Sequence, residues 1–411
     1  MPGRETARRW SRTCLSAALA TLALAGCGAG AVGEGEGQAA TAGDAGYVDW
    51  PQFGRVPERT HYLPVKEGLL EPPLKQTWSI NTHALIEFPP AIHDGVAYVI
   101  NKYGNGKAVR LSDREVLWEV RARLSDRGKP NFVTAPVYHR GIVYGAFLDG
   151  HLAAWEARTG KRLWTRKLGT HLESSPLAVG GTLYLGTDST DLLALRASDG
   201  GVRWRFNAPG AIKASPSHHD GRVYVADYQS SMFAIDAGSG KPLWRTNTSK
   251  VPPFGRGGFF SSPAVAFGSV FAARDDGTVY AFDEETGKVE WSFDTGDYVY
   301  GSPAVAQVPG TEPTVYIGAE NGRFFALDAA TGRVEWRRDV GGPIPGTAVV
   351  IGRTVYTSSF KTRKTIGYDV LTHGKTFELD ESGYTPMTSD GRRLYVVGYY
   401  VLVGLEPAAK G

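Results

Sequence analysis

The sequence TGKVEW, from Thr286 to Trp291, decides the fold because it is one copy of a repeat. Three further copies are TGRVEW (Thr331 to Trp336), TGKRLW (Thr159 to Trp164) and SGKPLW (Ser239 to Trp244). The complete series of repeat tryptophans is Trp78, Trp118, Trp164, Trp204, Trp244, Trp291 and Trp336, and Phe377 takes the eighth place. Successive members are 40 to 47 residues apart. Periods of this length indicate stacked supersecondary units.

One repeat contains enough strand and turn signals for four short strands. From Ser261 to Phe293, apolar segments alternate with the turns FGS at 267–269, DDG at 275–277 and ETG at 285–287. Glycine and aspartate are the residues that such turns require. Four strands at this spacing form one propeller blade.

Reading each unit in this way gives eight blades. The last unit, from Tyr384 to Glu406, has only three strands before the sequence ends, and the segment around Trp78 precedes the first complete unit. We therefore predict an all-β, eight-bladed β-propeller of four-stranded blades, in which an N-terminal strand completes the last blade. Such closure leaves no exposed end blade.

The repeat pattern A-x-D-x-x-T-G-x-x-x-W has a physical explanation. We expect the small residue, such as Ala281, to lie where neighbouring sheets approach, and the tryptophan to cover the adjoining sheet. An aspartate two residues later can accept backbone N–H groups in the following turn. The predicted blade-docking aspartates are Asp236, Asp283, Asp328 and Asp369.

This pattern resembles the tryptophan-docking motif of the PQQ-like, or quinoprotein-type, propellers. Full matches occur in three units (234–244, 281–291 and 326–336), and the others are partial: Glu156 and Arg196 replace the aspartate, and Phe377 replaces the tryptophan. The resemblance covers roughly residues 75–406. It implies the propeller fold, and it extends to the propeller lipoproteins of the bacterial outer-membrane barrel-assembly machinery.

Composition excludes some classes of protein. The two cysteines, Cys14 and Cys27, both lie in the N-terminal segment, so the folded body has no disulfide or thiol metal site. Without residues 1–26, Lys+Arg falls from 45 to 41 and Asp+Glu from 42 to 41. A nucleic-acid-binding protein usually shows a basic excess, and none is visible here, so we expect no nucleic-acid partner.

The N-terminus reads as an export signal. Four arginines (Arg4, Arg8, Arg9 and Arg12) precede an apolar run from Leu15 to Ala25, which is too short to span a bilayer. The run ends in LAGC at 24–27, which resembles a bacterial lipobox with Cys27 as the lipidated residue. An ordinary secretory signal is the alternative. We expect an exported protein, lipid-anchored to the bacterial cell membrane and facing outside the cytoplasm.

These signals divide the chain into four parts. We predict a lipoprotein signal peptide over residues 1–26, a flexible tether over 27–46 and a lead-in flap over 47–74, followed by the propeller over 75–411. The tether lacks large apolar residues that could offset the entropy of ordering. In the lead-in, the WPQF sequence is typical of such propellers, and Trp50 and Phe53 are its expected anchors.

The same resemblance implies an enzymatic activity as an alternative. Quinoprotein alcohol dehydrogenases place pyrroloquinoline quinone and Ca²⁺ on the ring axis, and adjacent cysteines form a disulfide against the quinone. The body has no cysteine, and no Asp or Glu cluster has convincing calcium spacing. His218-His219 lies in a turn and does not indicate a metal site. We predict no catalytic residue, metal or cofactor, with a PQQ- and Ca²⁺-dependent dehydrogenase-like or small-ligand-binding propeller as the alternative.

Function is therefore sought in the irregular loops on the side opposite the TG turns. Variable loops on a rigid scaffold commonly carry binding. The candidate binding residues are Lys213, Arg256, Phe259, Phe260, Tyr298, Tyr300 and Tyr399. Aromatic residues with arginine resemble a protein interface. The sequence predicts a protein-binding or scaffold module on the cell envelope, with a monomeric body, a membrane anchor and a protein partner on the loop face.

Overall fold

The computed structural model describes residues 47–86, 88–121, 134–250, 257–380, 387–398 and 400–408. The predicted all-β propeller is confirmed. Eight sheets each contain four antiparallel strands, which we call A to D from the innermost to the outermost, and a short 3-10 helix spans Thr248–Lys250. The signal peptide, the tether and Cys27 lie outside the described residues.

The strands follow one another in blade order. Blade 1 contains Ala91–His93, Val96–Ile100, Asn105–Arg110 and Val116–Arg121; blade 2 contains Val137–His139, Ile142–Ala146, His151–Glu156 and Arg162–Lys167; blade 3 contains Leu177–Val179, Thr182–Gly186, Asp191–Arg196 and Val202–Asn207; blade 4 contains Ser217–His219, Arg222–Ala226, Ser231–Asp236 and Pro242–Asn247. Blade 5 contains Ala264–Ala266, Ser269–Ala273, Thr278–Asp283 and Val289–Asp294; blade 6 contains Ala304–Ala306, Thr314–Gly318, Arg323–Asp328 and Val334–Asp339; blade 7 contains Val349–Ile351, Thr354–Ser359, Lys364–Asp369 and Lys375–Leu379.

The two ends of the propeller sequence meet in blade 8, as predicted. Its first three strands are Met387–Ser389, Leu394–Val397 and Val401–Pro407, and its outer strand is Leu74–Asn81. The outer strand pairs antiparallel with Val401–Pro407. Trp78 therefore belongs to the last blade, and the ring has no terminal sheet that would need a cap.

Neighbouring blades are joined through the repeat tryptophans. The indole N–H of Trp118 donates to Ala157 O of blade 2 at 2.7 Å, and Trp291 donates to Ala329 O of blade 6 at 2.9 Å. The indole ring covers the TG turn of the same neighbouring blade, where a Cβ built on Gly332 would lie 2.6 Å from Trp291. Only glycine leaves room there, and its φ of 70° suits glycine. Trp164, Trp204 and Trp244 make the equivalent bonds.

The small repeat residue acts within its own sheet as well as between sheets. In seven blades it lies opposite the tryptophan on the paired strand, as in Ala281↔Trp291 and Gly404↔Trp78, and in blade 7 Gly367 lies opposite Phe377; the register shifts beside each pair. A Cβ on Gly404 would lie 2.3 Å from the Trp78 indole. The small side chain therefore makes room for the tryptophan at an irregularity in the sheet, which the sequence pattern did not indicate.

The repeat aspartates hold the following turn. Asp236 Oδ1 accepts the Ser239 N–H at 2.7 Å, and Asp283 Oδ1 accepts the Thr286 N–H at 2.8 Å. Hydrogen bonds from the Ser239 and Thr286 side chains lower the pKa of these two aspartates. Equivalent bonds are made by Asp328 and Asp369.

The lead-in is a plug rather than a surface flap. Between residues 48 and 63 it crosses one mouth of the ring and contacts all eight blades. Trp50 and Phe53 are buried, as expected of anchors, and Trp50 forms a β-bridge with Ile92. Tyr62–Leu63 adds a parallel fifth strand to the inner edge of blade 7. We call residues 48–63 the plug.

The plug pairs with the free inner edges of the blades. In blades 1 to 7 the middle residue of strand A directs its N–H toward a plug oxygen. The seven pairs are Ile92 to Trp50 O, Tyr138 to Pro51 O, Ala178 to Gln52 Oε1, His218 to Pro57 O, Val265 to Glu58 O, Val305 to Thr60 O and Val350 to His61 O, at 2.7 to 3.4 Å. In blade 8, Asp390 O accepts the Val48 N–H at 2.8 Å. Inner-edge donors that a narrow channel would leave unpaired are thereby satisfied.

Candidate functional site

A cavity of about 360 Å³ occupies the axis on the side opposite the plug, and we call it the funnel. The loops that enter blades 1 and 3 to 7 form its walls, together with Tyr228 from a turn between strands B and C. Its lining residues are Phe53, Phe88, Glu173, Lys213, Ser215, Tyr228, Phe260, Ser262, Tyr300, Gly301, Ser302, Pro345, Gly346 and Thr347. The cavity is therefore largely aromatic and apolar, with one lysine and one glutamate.

The plug supplies the floor of the funnel through Phe53. Directly around Phe53 lie the Arg59 guanidinium, 5.6 Å from the ring centroid, and His61, whose ring meets Phe53 edge-on at 4.7 Å. Arg59 is fully buried and donates to carbonyl oxygens of Phe53, Ser175, Pro176 and Pro216. Burial lowers the pKa of Arg59 to about 9, and burial next to Arg59 lowers the pKa of His61 to about 3. The floor is therefore fixed by backbone acceptors.

Hydroxyl groups form a belt around the wall. The N–H of Ser175 donates to Ser215 Oγ at 2.9 Å, that of Ser215 to Ser262 Oγ at 3.1 Å, and that of Ser262 to Ser302 Oγ at 2.9 Å. Ser302 N–H continues to Thr347 Oγ1 at 2.9 Å. Each hydroxyl thus links its blade to the preceding one. The belt fixes the spacing of the funnel walls from blade 3 to blade 7.

Three aromatic side chains at the mouth remain partly open to solvent. Tyr228, Phe260 and Tyr300 are 41%, 38% and 41% exposed. Phe260 meets Tyr300 edge-on at 6.0 Å, and Tyr298 stacks on Tyr300 with ring centroids 6.2 Å apart. Exposed aromatic rings held by a rigid scaffold are typical of binding surfaces.

The charged pair in the lining is Lys213 and Glu173. Lys213 Nζ lies 2.9 Å from Glu173 Oε1 and 5.3 Å from the centroid of the Tyr228 ring. Burial works against the charge of Lys213, but the bond to Glu173 is strong enough to raise the lysine pKa. Lys213 therefore stays charged, and its charge is balanced by Glu173.

The structure brings together part of the predicted binding face. Lys213, Phe260 and Tyr300 line the funnel, and Tyr298 stacks beside them at its rim. Phe259 does not belong to this surface: it is buried in the core between blades 4 and 5, with its ring 6.2 Å from Tyr280. Along an extended segment, adjacent side chains point to opposite faces. Arg256 and Tyr399 lie outside the described residues.

Sequence reasoning missed several residues of the funnel. Phe53 was expected to anchor the lead-in and not to form the floor of a cavity, and Phe88 was not singled out. Asp188, Asp275 and Glu320 do not line the cavity, but each is the second residue of a four-residue turn between strands B and C. Aligning the repeats would have indicated that this position lies near the funnel, because the equivalent residue of blade 4 is Tyr228, which lines it.

The residues that line the funnel include one carboxylate, that of Glu173. Ca²⁺ prefers six to eight oxygen ligands. The lining carboxylate, Glu173, is paired with Lys213, and the hydroxyls of the belt already accept backbone N–H groups. Within the described ranges, no group of three or more His, Cys, Asp or Glu residues is arranged to hold a metal ion.

Over the part of the chain that the structure describes, no helix is both long and apolar enough to cross a bilayer.

Two curated relatives match parts of the chain. The dehydrogenase subunit of a quinone alcohol dehydrogenase from Gluconobacter oxydans (strain 621H) is 27% identical over 184 residues, which are 38% of this chain and 24% of the relative. The outer membrane protein assembly factor BamB of Yersinia pestis is 32% identical over 138 residues, which are 31% of this chain and 34% of the relative. The chain thus matches about a quarter to a third of these relatives' own length.

A solved structure and a family model extend the comparison. BamB from Moraxella catarrhalis superposes with a TM-score of 0.66 at 17% identity, covering 81% of this chain and 99% of that chain, which supports the fold. The family model described as "Outer membrane protein assembly factor BamB" matches residues 74–171, 148–258 and 254–401. Because these segments span most of the chain, the chain belongs to this family of PQQ-like repeat propellers.

Proposed function

We propose that this chain is an exported β-propeller, lipid-anchored through Cys27, that serves as a protein-binding or scaffold module on the cell envelope. Its partner binds at the funnel mouth. The observation that carries the proposal is the exposed aromatic cluster of Phe260, Tyr298 and Tyr300, held on loops above a rigid, plugged ring. Aromatic residues at the centre of an interface commonly contribute most of its binding energy.

The ring below these residues is built to stay fixed. The belt of hydroxyls ties blades 3 to 7 together, and the plug closes the other mouth. A rigid scaffold lowers the entropy lost on binding because the loops it holds are already ordered. The BamB relatives support a role in binding proteins, and they support a location in the cell envelope.

The alternative is a dehydrogenase-like or small-ligand-binding propeller that uses the same funnel. The quinone alcohol dehydrogenase relative favours it, and a cavity of about 360 Å³ on the axis is large enough for a small molecule. The pairing of the lining carboxylate Glu173 with Lys213 argues against binding of Ca²⁺ with pyrroloquinoline quinone. We therefore rank this function second.

The test is site-specific cross-linking in the native envelope. A photo-reactive residue in place of Tyr298, which is 55% exposed, should cross-link to a defined protein partner identified by mass spectrometry. The double change Phe260→Ala/Tyr300→Ala should reduce this cross-link about tenfold or more, because truncating central aromatic residues typically costs over 1 kcal/mol each.

The matched control is Leu243→Ala/Val334→Ala, which removes exposed apolar side chains from outer strands. It should leave the cross-link unchanged. Equal cross-linking by the funnel variant would reject the proposal. A large rise in melting temperature with added pyrroloquinoline quinone and Ca²⁺, together with dye-linked alcohol oxidation, would favour the alternative.

Membrane fractionation of Cys27→Ala tests the anchor: the variant should become soluble, and continued membrane association would contradict lipidation.

A further inference from the structure

Equivalent positions of the repeat place carboxylates around one side of the funnel. The second residue of the turn between strands B and C is Asp188 in blade 3, Asp275 in blade 5 and Glu320 in blade 6. Each backbone N–H donates to the loop that enters its own blade, with acceptors His171 O, Gly258 O and Tyr298 O at 2.8 to 3.2 Å. These bonds fix the backbone of the three turn residues next to the entry loops.

Two of these carboxylates have unused acceptor atoms. Glu320 Oε1 and Asp188 Oδ1 are buried and have no hydrogen-bond partner among the described residues. Burial raises the pKa of Glu320, and the charge of Asp297 adds to that effect. A buried carboxylate oxygen without a donor is costly, and a positively charged donor would remove that cost.

Two cations among the described residues nearby are paired with carboxylates of their own. Lys213 pairs with Glu173, and Arg274 pairs with Asp276 beside it. His171 Nδ1 lies 3.8 Å from Asp188 Oδ2, which is not the oxygen that lacks a hydrogen-bond partner. The Asp275 carboxylate contacts the Tyr228 phenol, which has no charge to offer. Among the described residues, the side of the funnel formed by blades 5 and 6 thus carries three carboxylates, those of Asp275, Asp297 and Glu320.

The same side of the funnel carries the exposed aromatic faces. The Glu320 N–H donates to Tyr298 O at 2.9 Å, and Tyr298 stacks on the partly exposed Tyr300 ring, so Glu320 is held next to the aromatic pair. An arginine side chain binds in such surroundings because its planar guanidinium stacks on an aromatic ring and donates to a carboxylate at once. Lys213 over Tyr228 already makes a related contact within the protein.

We propose that the blade 5 and blade 6 side of the funnel receives an arginine side chain presented by the partner protein, which stacks on Tyr300 and donates to Glu320, with Asp275 adding attraction. The proposal deepens the function proposed above and rests on it. It assigns the partner a chemistry: an exposed arginine on a loop or terminus narrow enough to enter the mouth between Phe260 and Tyr300.

The test uses two synthetic peptides that differ only in charge. Acetyl-Gly-Gly-Arg-Gly-Gly-amide and its citrulline analogue are titrated into the purified full chain by calorimetry or by NMR of the tyrosine rings. The arginine peptide should bind about tenfold more tightly, a difference of about 1.4 kcal/mol. Glu320→Gln should remove most of this preference and Asp275→Asn part of it. Salt at about 0.5 M should weaken binding of the arginine peptide alone.

The control is Glu115→Gln, which removes a carboxylate on a turn of the opposite face, where it pairs with Arg110. It should preserve the preference for arginine. Equal affinity for both peptides, tighter binding of a Glu-containing analogue, or no saturable binding up to about 10 mM would overturn the inference. Thermal unfolding of each variant shows whether it is folded.

The two proposals fail separately. If Phe260→Ala/Tyr300→Ala abolishes the partner cross-link while neither peptide is preferred, the protein-binding function stands and the arginine site is wrong. If the cross-link is insensitive to the funnel variant, the protein-binding function is wrong whatever the peptides do.

Discussion

The two ends of the axial channel are built from the same eight repeats, yet they are chemically opposite. At one end the plug pairs with the inner edge of every blade and buries Arg59 among carbonyl oxygens, and its outer side lines a polar cavity with Arg55, His93 and His139. At the other end the mouth is open, and it presents partly exposed aromatic rings and carboxylates. The difference comes from the plug, the entry loops and the turns between strands B and C, because the strands themselves are nearly equivalent.

This contrast separates stability from recognition. Backbone pairing at the plug satisfies donors that the ring cannot satisfy by itself, so changes there should act on folding. Side chains at the funnel mouth satisfy few buried hydrogen-bonding groups, so changes there should act on binding and leave the fold intact.

Deleting the plug should have the largest effect. Loss of residues 47–63 leaves seven strand A donors without their acceptors, at about 1–3 kcal/mol for each donor that water cannot reach. We expect the free energy of unfolding to fall by about 5 kcal/mol or more, measured by urea denaturation. The matched variant at the other end, Phe260→Ala/Tyr298→Ala/Tyr300→Ala, should stay within about 1 kcal/mol of the parent. If the two variants were equally stable, the division of roles would be wrong.

Acid should act on the plug through His61. The folded-state pKa of about 3 lies below the ordinary value of 6.5, so the unfolded chain binds a proton that the folded chain excludes. Stability from this group is therefore complete above pH 6.5 and is lost as the pH falls toward 3. Between pH 7 and pH 4 the loss should be about 3 kcal/mol.

The measurement for this prediction is the denaturation midpoint as a function of pH. His61→Gln, which cannot be protonated, should flatten the slope between pH 7 and pH 4. His171→Gln at the funnel rim, where the side chain is 67% exposed, should leave the slope as it is. An unchanged slope in His61→Gln would show that the buried ring does not control acid stability.

A smaller effect is expected where a glycine lies under a docked tryptophan. Gly332 and Gly268 both have a positive φ, of 70° and 78° respectively. A Cβ on Gly332 would lie 2.6 Å from Trp291, whereas a Cβ on Gly268 would meet nothing within 4 Å. Gly332→Ala should therefore cost about 1–2 kcal/mol more than Gly268→Ala in thermal unfolding, since overlap adds to the shared backbone strain. Equal costs would mean that the contact is easily relieved.

The repeat made much of the fold predictable. Trp78 could be assigned to blade 8 because the last unit lacks a strand, and the structure confirms this pairing. The position of Asp283 before its turn likewise follows from local chemistry. Such features depend on side chains at fixed spacing, and spacing is what a sequence displays directly.

The plug and the funnel were harder to predict for a physical reason. The plug binds mainly through backbone carbonyls, which every residue has, so its sequence does not reveal its eight targets. Phe259 and Phe260 are adjacent and identical in type, yet one is buried and the other exposed. Which of two neighbouring aromatic residues faces solvent is decided by the direction of the chain, and composition cannot supply that.

The plug also has a consequence for the order of events during synthesis. Ribosomes make residues 48–63 before any blade, but the partners of this segment extend from Ile92 to Asp390. The first-synthesised part of the folded body can therefore complete its hydrogen bonds only after the last blade has been made. In an incompletely translated chain this segment would lack its bonds to the later blades, such as those to Val350 and Asp390.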